Sequence, residues 1–256
     1  MNKILKLYRI WFAKTRLSIL RLWGVDYVRA ADGPRMVANW DDATFWFCAA
    51  SMYDQYYKKF LKSLKAPFVF IDVGANQGFF SFLAAKNSYA RELHCFEPIP
   101  ATYELLDQNA KLNGCINAQL HNLAIAEKTG ASSIFVQPGH SGAASMRDSS
   151  LPPTSHSINI ETVDYSFLSG LVRSVGLPIH IKIDVEGFEL EVMNQLVKTD
   201  WFSRVESIFY EVDELWVSPV EIELLLRDWG FTDFIKSGLN HNHYDVHAMR
   251  GSLDKR

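Results

Sequence analysis

Phe68-Val69-Phe70-Ile71-Asp72-Val73-Gly74-Ala75-Asn76-Gln77-Gly78-Phe79-Phe80-Ser81-Phe82 decides how the rest of the chain is read. Its opening residues are a continuous apolar, bulky run, the pattern of a strand buried on both faces. Gly74 and Gly78 bracket a turn. Phe79, Phe80, Phe82, Leu83, Ala84 and Ala85 then follow at helical spacing. The unit is a strand, a tight glycine turn and a helix start. Gly74 is expected to take backbone angles that a side chain forbids, and Gly78 to let another group approach closely. Free amides at the start of the helix, with the positive end of its dipole, favour an anionic or electron-rich ligand at this turn.

Downstream, strand and helix patterns alternate. Glu92–Phe96 reads as a second strand, ended by Glu97-Pro98-Ile99-Pro100, and Pro100 suits the first position of the helix that runs to Leu112. Gln119–Ala124, Ser132–Val136 and Ile158–Thr162 read as strands. Pro138–Thr154, rich in Gly, Ser and Pro, reads as a long loop. Val163–Val175 looks mostly helical, Ile179–Val185 is another buried strand, and Glu186-Gly187 turns it into the helix Phe188–Val197. Val205–Val212 is a strand, Pro219–Trp229 a helix, and Phe231–Ile235 with Tyr244–Met249 a final antiparallel pair. Strands alternating with helices predict an α/β fold with a doubly wound, mostly parallel sheet.

The 256 residues suit one large α/β domain with an N-terminal extension, and 48% apolar content with 17 Phe is ample for a core. A net charge of −3 argues against a general affinity for nucleic acid. The charge is uneven: Lys3, Lys6, Arg9, Lys14, Arg16 and Arg21 precede the first acid, Asp26. Residues 1–34 are therefore expected to be a basic amphipathic helical extension, a candidate for peripheral contact with an anionic membrane surface through residues 1–24. The remaining 35–256 form the domain. Val37–Trp46 reads as a short strand or hairpin and Ala49–Leu64 as a helix, with Trp40, Phe45, Trp46 and Phe47 as core or as a lid. Three cysteines without metal spacing favour a reducing compartment, so a cytoplasmic location is expected, with peripheral contact at the inner membrane surface.

In a doubly wound sheet, ligands bind outside the carboxyl ends of the strands. The predicted strand ends carry Asp72 with Gly74–Gly78, Glu97, Asn122 with Ala124, Asp184 with Glu186, and Glu211. Glu97 lies about 20 residues beyond the glycine turn, where an acid accepts both hydroxyls of a ribose. The glycines are spaced G-x-x-x-G rather than as a pyrophosphate cradle. Asp72 beside them suits a cationic, amino-acid-like moiety, so the pattern favours S-adenosylmethionine over a nicotinamide dinucleotide.

With FIDVGANQGFFS, FEPIP, Asn122-Leu123-Ala124, IKIDVEGFE and IFYEV in this order, the chain resembles the FkbM family of S-adenosylmethionine-dependent methyltransferases over roughly Phe68 to Trp229. The resemblance implies a Rossmann-like seven-stranded sheet with the last strand antiparallel. It also implies O-methylation, often of sugar or secondary-metabolite hydroxyls. Carried onto this sequence, it implies that Asp72, Gly74, Ala75, Asn76 and Gly78 hold the methionine part of the cofactor, Glu97 its ribose, and Asn122 and Ala124 border the adenine. Asp184, then Glu186, then Glu211 rank as the base that takes the acceptor's proton, with His243 behind them and Lys182 as an ion-pair partner of Asp184. His140 is a candidate substrate contact. The carboxylates lack fixed metal-ligand spacing, so no metal is expected. The expected function is O-methylation of a hydroxyl on a saccharide or glycan-like acceptor. The competing readings are a nicotinamide-dependent oxidoreductase or epimerase, and a non-catalytic membrane-surface adaptor with the same fold.

Overall fold

The structure is a computed structural model, and it describes residues 3–53, 55–115, 117–146, 154–238 and 241–251. Helix α1 (Lys3–Leu22) leads into a two-stranded antiparallel hairpin, β1 (Tyr27–Arg29) and β2 (Arg35–Val37), and two short helices, α2 (Ala43–Ala49) and α3 (Gln55–Ser63). The glycine-turn unit follows as β3 (Phe68–Val73) and α4 (Phe79–Ala85), then β4 (Ala90–Phe96), α5 (Pro100–Leu112) and β5 (Gln119–His121). An inserted segment contains β6 (Ala124–Ile125), β7 (Gly130–Gln137), β8 (His140–Ser145) and β9 (His156–Val163). The chain closes with α6 (Tyr165–Ser169), β10 (Ile179–Ile183), α7 (Glu189–Leu196), β11 (Val205–Asp213), α8 (Pro219–Asp228), β12 (Phe231–Ser237) and β13 (His243–Arg250).

Among the described residues, seven strands form the central sheet in the order β12-β13-β11-β10-β3-β4-β5. Strand β13 runs antiparallel to both neighbours and the other pairings are parallel. The expected α/β architecture, with its last strand reversed, is therefore what the chain adopts.

Period-two alternation in β3 divides the core. Val69, Ile71 and Val73 face a cluster with Ile181, Ile183, Val192, Met193 and Leu226, on the α7 and α8 side. Phe68 and Phe70 face the other layer, with Phe45, Tyr57, Leu61, Phe79 and Leu83 from α2, α3 and α4. Leu17 of α1 and Val28 and Met36 of the hairpin are buried in that same second cluster, so the N-terminal segment is packed onto the domain.

Several expectations are corrected. Val37–Trp46 is not a strand: the hairpin lies earlier, and Asp42 caps α2 by accepting the Phe45 N–H. Ala49–Leu64 is not one helix, because α2 and α3 are separate. Gln119–Ala124 is not one strand. Its first half ends the central sheet and its last residue starts a second, four-stranded sheet, β6-β9-β7-β8, that sequence reading did not foresee. Pro138–Ser145 is not loop but the turn and second strand of the β7–β8 hairpin. Residues 147–153 of the expected loop lie outside the described residues. Helix α6 covers only five residues of the helical stretch expected over Val163–Val175.

Candidate active site

A cavity of about 330 Å³ opens at the carboxyl ends of β4, β3, β10 and β11, four neighbouring strands of the sheet. Its lining includes Gly74, Asn76, Glu97, Ala124, Asp184, Glu186 and Glu211. The cavity thus brings together seven of the eleven residues expected to bind cofactor or rank as the base, from five separate segments, and with them the further candidates His140 and His243. Three strand spacings of ~4.8 Å separate β4 from β11, roughly 14 Å in all.

The turn after β3 is built by close approach. A Cβ on Gly74, which has φ of +76°, would sit 1.8 Å from the Asp184 carbonyl oxygen, so only glycine fits where β3 and β10 converge. Asn76 and Glu186 each hold a positive φ of 51°. For residues with side chains this left-handed conformation is strained, and such strain concentrates at functional sites. Asn76 donates its backbone N–H to Glu97 Oε2 and Ile99 donates to Oε1, both at 2.9 Å. Glu97 is buried, and burial pushes its pKa up to about 7, against the pull of those two amides. Each carboxylate oxygen keeps a second lone pair, so Glu97 can still accept two hydroxyl donors. Phe96, Leu123, Ile125, Ile134 and Met146 supply an apolar wall beside it. An adenosyl group needs a carboxylate beneath its vicinal diol and an apolar flank for its base, and the residues present fit that group.

At β10 and β11 the cavity is acidic. Lys182, almost fully buried, lies 3.2 Å from Asp184 Oδ2 and 3.4 Å from Asp72 Oδ1. Burial alone would lower its pKa, and the two carboxylates outweigh that and raise it. The sequence reading of Lys182 as the ion-pair partner of Asp184 matches this geometry. Asp184, Glu186 and Glu211 each offer a carboxylate oxygen within 4.8 Å of the others. Burial, and then the charges of Glu211 and Asp184, hold Glu186 well above the usual carboxylate range. Burial and the Asp184 charge likewise raise Glu211, although His243 Nε2 at 2.7 Å from its Oε1 works the other way. That same contact, against some desolvation, raises His243 to about 9.

Four of the eleven expected cofactor and base residues are not in the cavity lining. Asp72 is fully buried on the α4 face of β3, directly opposite Lys182 in the strand register, with Oδ2 accepting from Ser81. Its charge is consumed inside the protein rather than shown to a ligand. Ala75 packs with Phe82, Cys95 and Leu106. Gly78 has close neighbours, but these are the Phe82 ring and Leu106, 2.1 and 2.6 Å from where a Cβ would be, so the close approach is between helices. Asn122 donates from Nδ2 to the carbonyls of Glu97 and Pro98, which fastens the turn carrying Glu97.

Sequence reasoning named Phe47 as core or lid and His140 as a substrate contact, and both line the cavity, but it missed the network that holds this roof. Asp42 accepts from Gln77 Nε2 and from the Ser141 N–H, and Ser141 Oγ lies 3.1 Å from both Asp42 Oδ1 and Asn76 Oδ1. Gly142 donates to Thr44 Oγ1, and Ser145 Oγ donates to the Glu186 carbonyl. The β7–β8 hairpin is thereby stitched to α2, to the glycine turn and to the strained Glu186. Thr44, Phe47, Tyr53, His140, Ser141 and Gly142 all line the cavity from this side. The available signal was Asp42-Ala43-Thr44-Phe45, a helix N-cap pattern. Glu189 was also missed: its buried Oε1 accepts the Val185 and Gly187 amides and fixes the turn that holds Glu186.

The FkbM methyltransferase domain family matches residues 72–232 of the chain. "Methyltransferase sdnD" of Sordaria araneosa is 26% identical over 192 residues, covering 64% of this chain and 73% of that protein. "Methyltransferase 1" of Beauveria bassiana is 21% identical over 177 residues, covering 63% and 71%. Among solved structures, M. capricolum TrmK in complex with S-adenosyl-homocysteine matches at a TM-score of 0.48 and 8% identity, covering 80% of this chain and 73% of that one. That likeness is too distant to bear on the acceptor. The family match does not favour the nicotinamide or adaptor readings. A match over more than half the chain, on the turn and strand ends that build this cavity, makes the protein a member of the FkbM methyltransferase family, with S-adenosylmethionine as its cofactor.

Proposed function

We propose that the protein transfers a methyl group to a hydroxyl of a saccharide or glycan-like acceptor. The observation that carries this reading is the single cavity that joins Glu97 to the carboxylates of Asp184, Glu186 and Glu211 across four strand tips. When bound, S-adenosylmethionine supplies an electrophilic methyl group. Glu97 accepts the ribose hydroxyls, while Gly74 and Asn76 present the turn to the methionine part. The apolar wall of Leu123, Ala124 and Ile125 flanks the adenine.

The acidic end suits a polyhydroxylated acceptor. Asp184 Oδ accepts the proton of the attacking hydroxyl, and Lys182 Nζ compensates the carboxylate charge. Glu186, held above the usual carboxylate range, keeps its proton and donates to a neighbouring acceptor oxygen. Two carboxylates in different environments thus take opposite roles. Glu211, positioned by His243, accepts a further hydroxyl. Phe47 and Tyr53 line the same cavity and supply aromatic surface for a sugar ring to pack on. The enclosure orients the hydroxyl and limits water, and orientation supplies much of the rate in such a displacement.

Isothermal titration with S-adenosylhomocysteine and a turnover assay on a panel of mono- and oligosaccharides test the proposal. Binding is expected, with methyl ethers formed on a sugar hydroxyl. Turnover on amine or nucleic-acid acceptors alone would contradict the acceptor assignment.

A further inference from the structure

Helix α1 has two apolar faces. Leu17 is fully buried, and Ala13 and Leu20 pack beside it against the domain. On the opposite face Tyr8, Trp11, Phe12, Ile19 and Leu22 fall within roughly a third of the helix circumference. They are exposed to 67%, 64%, 71%, 45% and 86%, and Trp23, just past the helix end, to 76%. An aligned aromatic stripe this exposed requires an occupant. Basic residues flank it: Lys14 and Arg21 on one side and Arg16 on the other, with no acid in the helix. Arg21 is paired with Asp41, and Arg16 reaches the Arg29 carbonyl, tying the helix to a further basic group of Arg29, Arg35 and Lys86. Among the described residues no helix is long and apolar enough to cross a membrane.

We propose that α1 lies flat on an anionic lipid surface, with Trp11, Phe12 and Leu22 at the headgroup–acyl boundary and Lys14 with its basic neighbours against the headgroups. Aromatic residues along the stripe and cations at its edges are the arrangement of an in-plane interfacial helix. An ordinary protein interface depletes lysine, whereas an anionic lipid surface attracts it. The buried face of the same helix keeps it attached to the catalytic domain.

Vesicle co-sedimentation of the full chain tests this, using phosphatidylcholine alone and phosphatidylcholine mixed with phosphatidylserine. The chain is expected to pellet with the mixed vesicles and to be released by raised salt. The double variant Trp11→Ser/Phe12→Ser is expected to lose at least about tenfold in partitioning. Lys14→Glu, a change of two charges, is expected to lose at least roughly fivefold, on the anionic vesicles only. Both variants carry exposed substitutions and keep S-adenosylhomocysteine binding; should the double variant fail to fold, Lys14→Glu and the salt dependence decide. Wild-type protein that stays in the supernatant, or binds both vesicle types equally, overturns the proposal. So does a wild-type dimer in sedimentation velocity that the double variant converts to monomer, because the stripe would then belong to a second copy of the chain.

Discussion

Glu186 shows how a single residue can be kept against its own stability. It sits at positive φ, among like charges, with a carboxyl that burial drives toward the neutral form. Its folded-state pKa is raised, so the folded protein holds a proton that the unfolded chain releases. Stability therefore falls as pH rises above the ordinary glutamate pKa. Glu186→Gln removes that dependence. It is expected to raise the unfolding free energy near neutral pH by about 1–2 kcal/mol, measured by denaturant titration across pH. Turnover falls at the same time, the exchange expected where function holds a destabilised group. A variant less stable than wild type at neutral pH would contradict this reading.

Glu97 gives a second residue-scale outcome. With a pKa of about 7 it is partly protonated near neutrality, and the proton removes acceptor capacity. Affinity for S-adenosylhomocysteine should weaken as pH falls through about 7, and the slope should vanish in Glu97→Gln. A flat wild-type profile would separate Glu97 from the ribose.

At the scale of elements, the β7–β8 hairpin and α2 are held to the glycine turn by the Asp42 network. Asp42→Ala removes a helix cap and leaves Gln77 and Ser141 without their shared acceptor. It is expected to cost about 1–3 kcal/mol and to weaken cofactor binding, while amide exchange in β3, β4 and β10 stays protected. Lys182→Met acts in the central sheet instead. It leaves the fully buried Asp72 uncompensated, and a loss of about 3–5 kcal/mol in unfolding free energy is expected. The same scale separates what the sequence shows from what it hides. β3, β4, β10 and β11 are legible because most of their positions are buried and carry apolar, largely β-branched or aromatic side chains. Strand β8 is hidden because His140-Ser141-Gly142-Ala143-Ala144-Ser145 has little strand propensity. Its order comes from contacts with Asp42, Thr44 and Glu186, residues distant in sequence. The split of Gln119–Ala124 between two sheets is likewise a tertiary event that local pattern does not record.

For the whole molecule, the sheet collects at its carboxyl edge residues that are 21 to more than 100 positions apart in sequence. Rank order along the chain shows which strand ends carry acids. It does not show which side chains turn inward: Asp72 and Asp184 each follow a buried run, and one ends inside the protein while the other faces the cavity. The difference lies in where each strand stops. Asp72 is still within β3, whereas Asp184 stands just past β10. The account as a whole requires cofactor binding and chemistry to divide between Glu97 and Asp184 within one cavity. Isothermal titration with S-adenosylhomocysteine, run beside turnover for Asp184→Asn and Glu97→Ala, measures that division directly. Asp184→Asn should keep wild-type affinity while turnover falls by about 10²–10⁴-fold, and Glu97→Ala should lose about 1.5–3 kcal/mol of binding. Equal loss of binding in both variants, or no heat of binding from the wild-type protein, would contradict it.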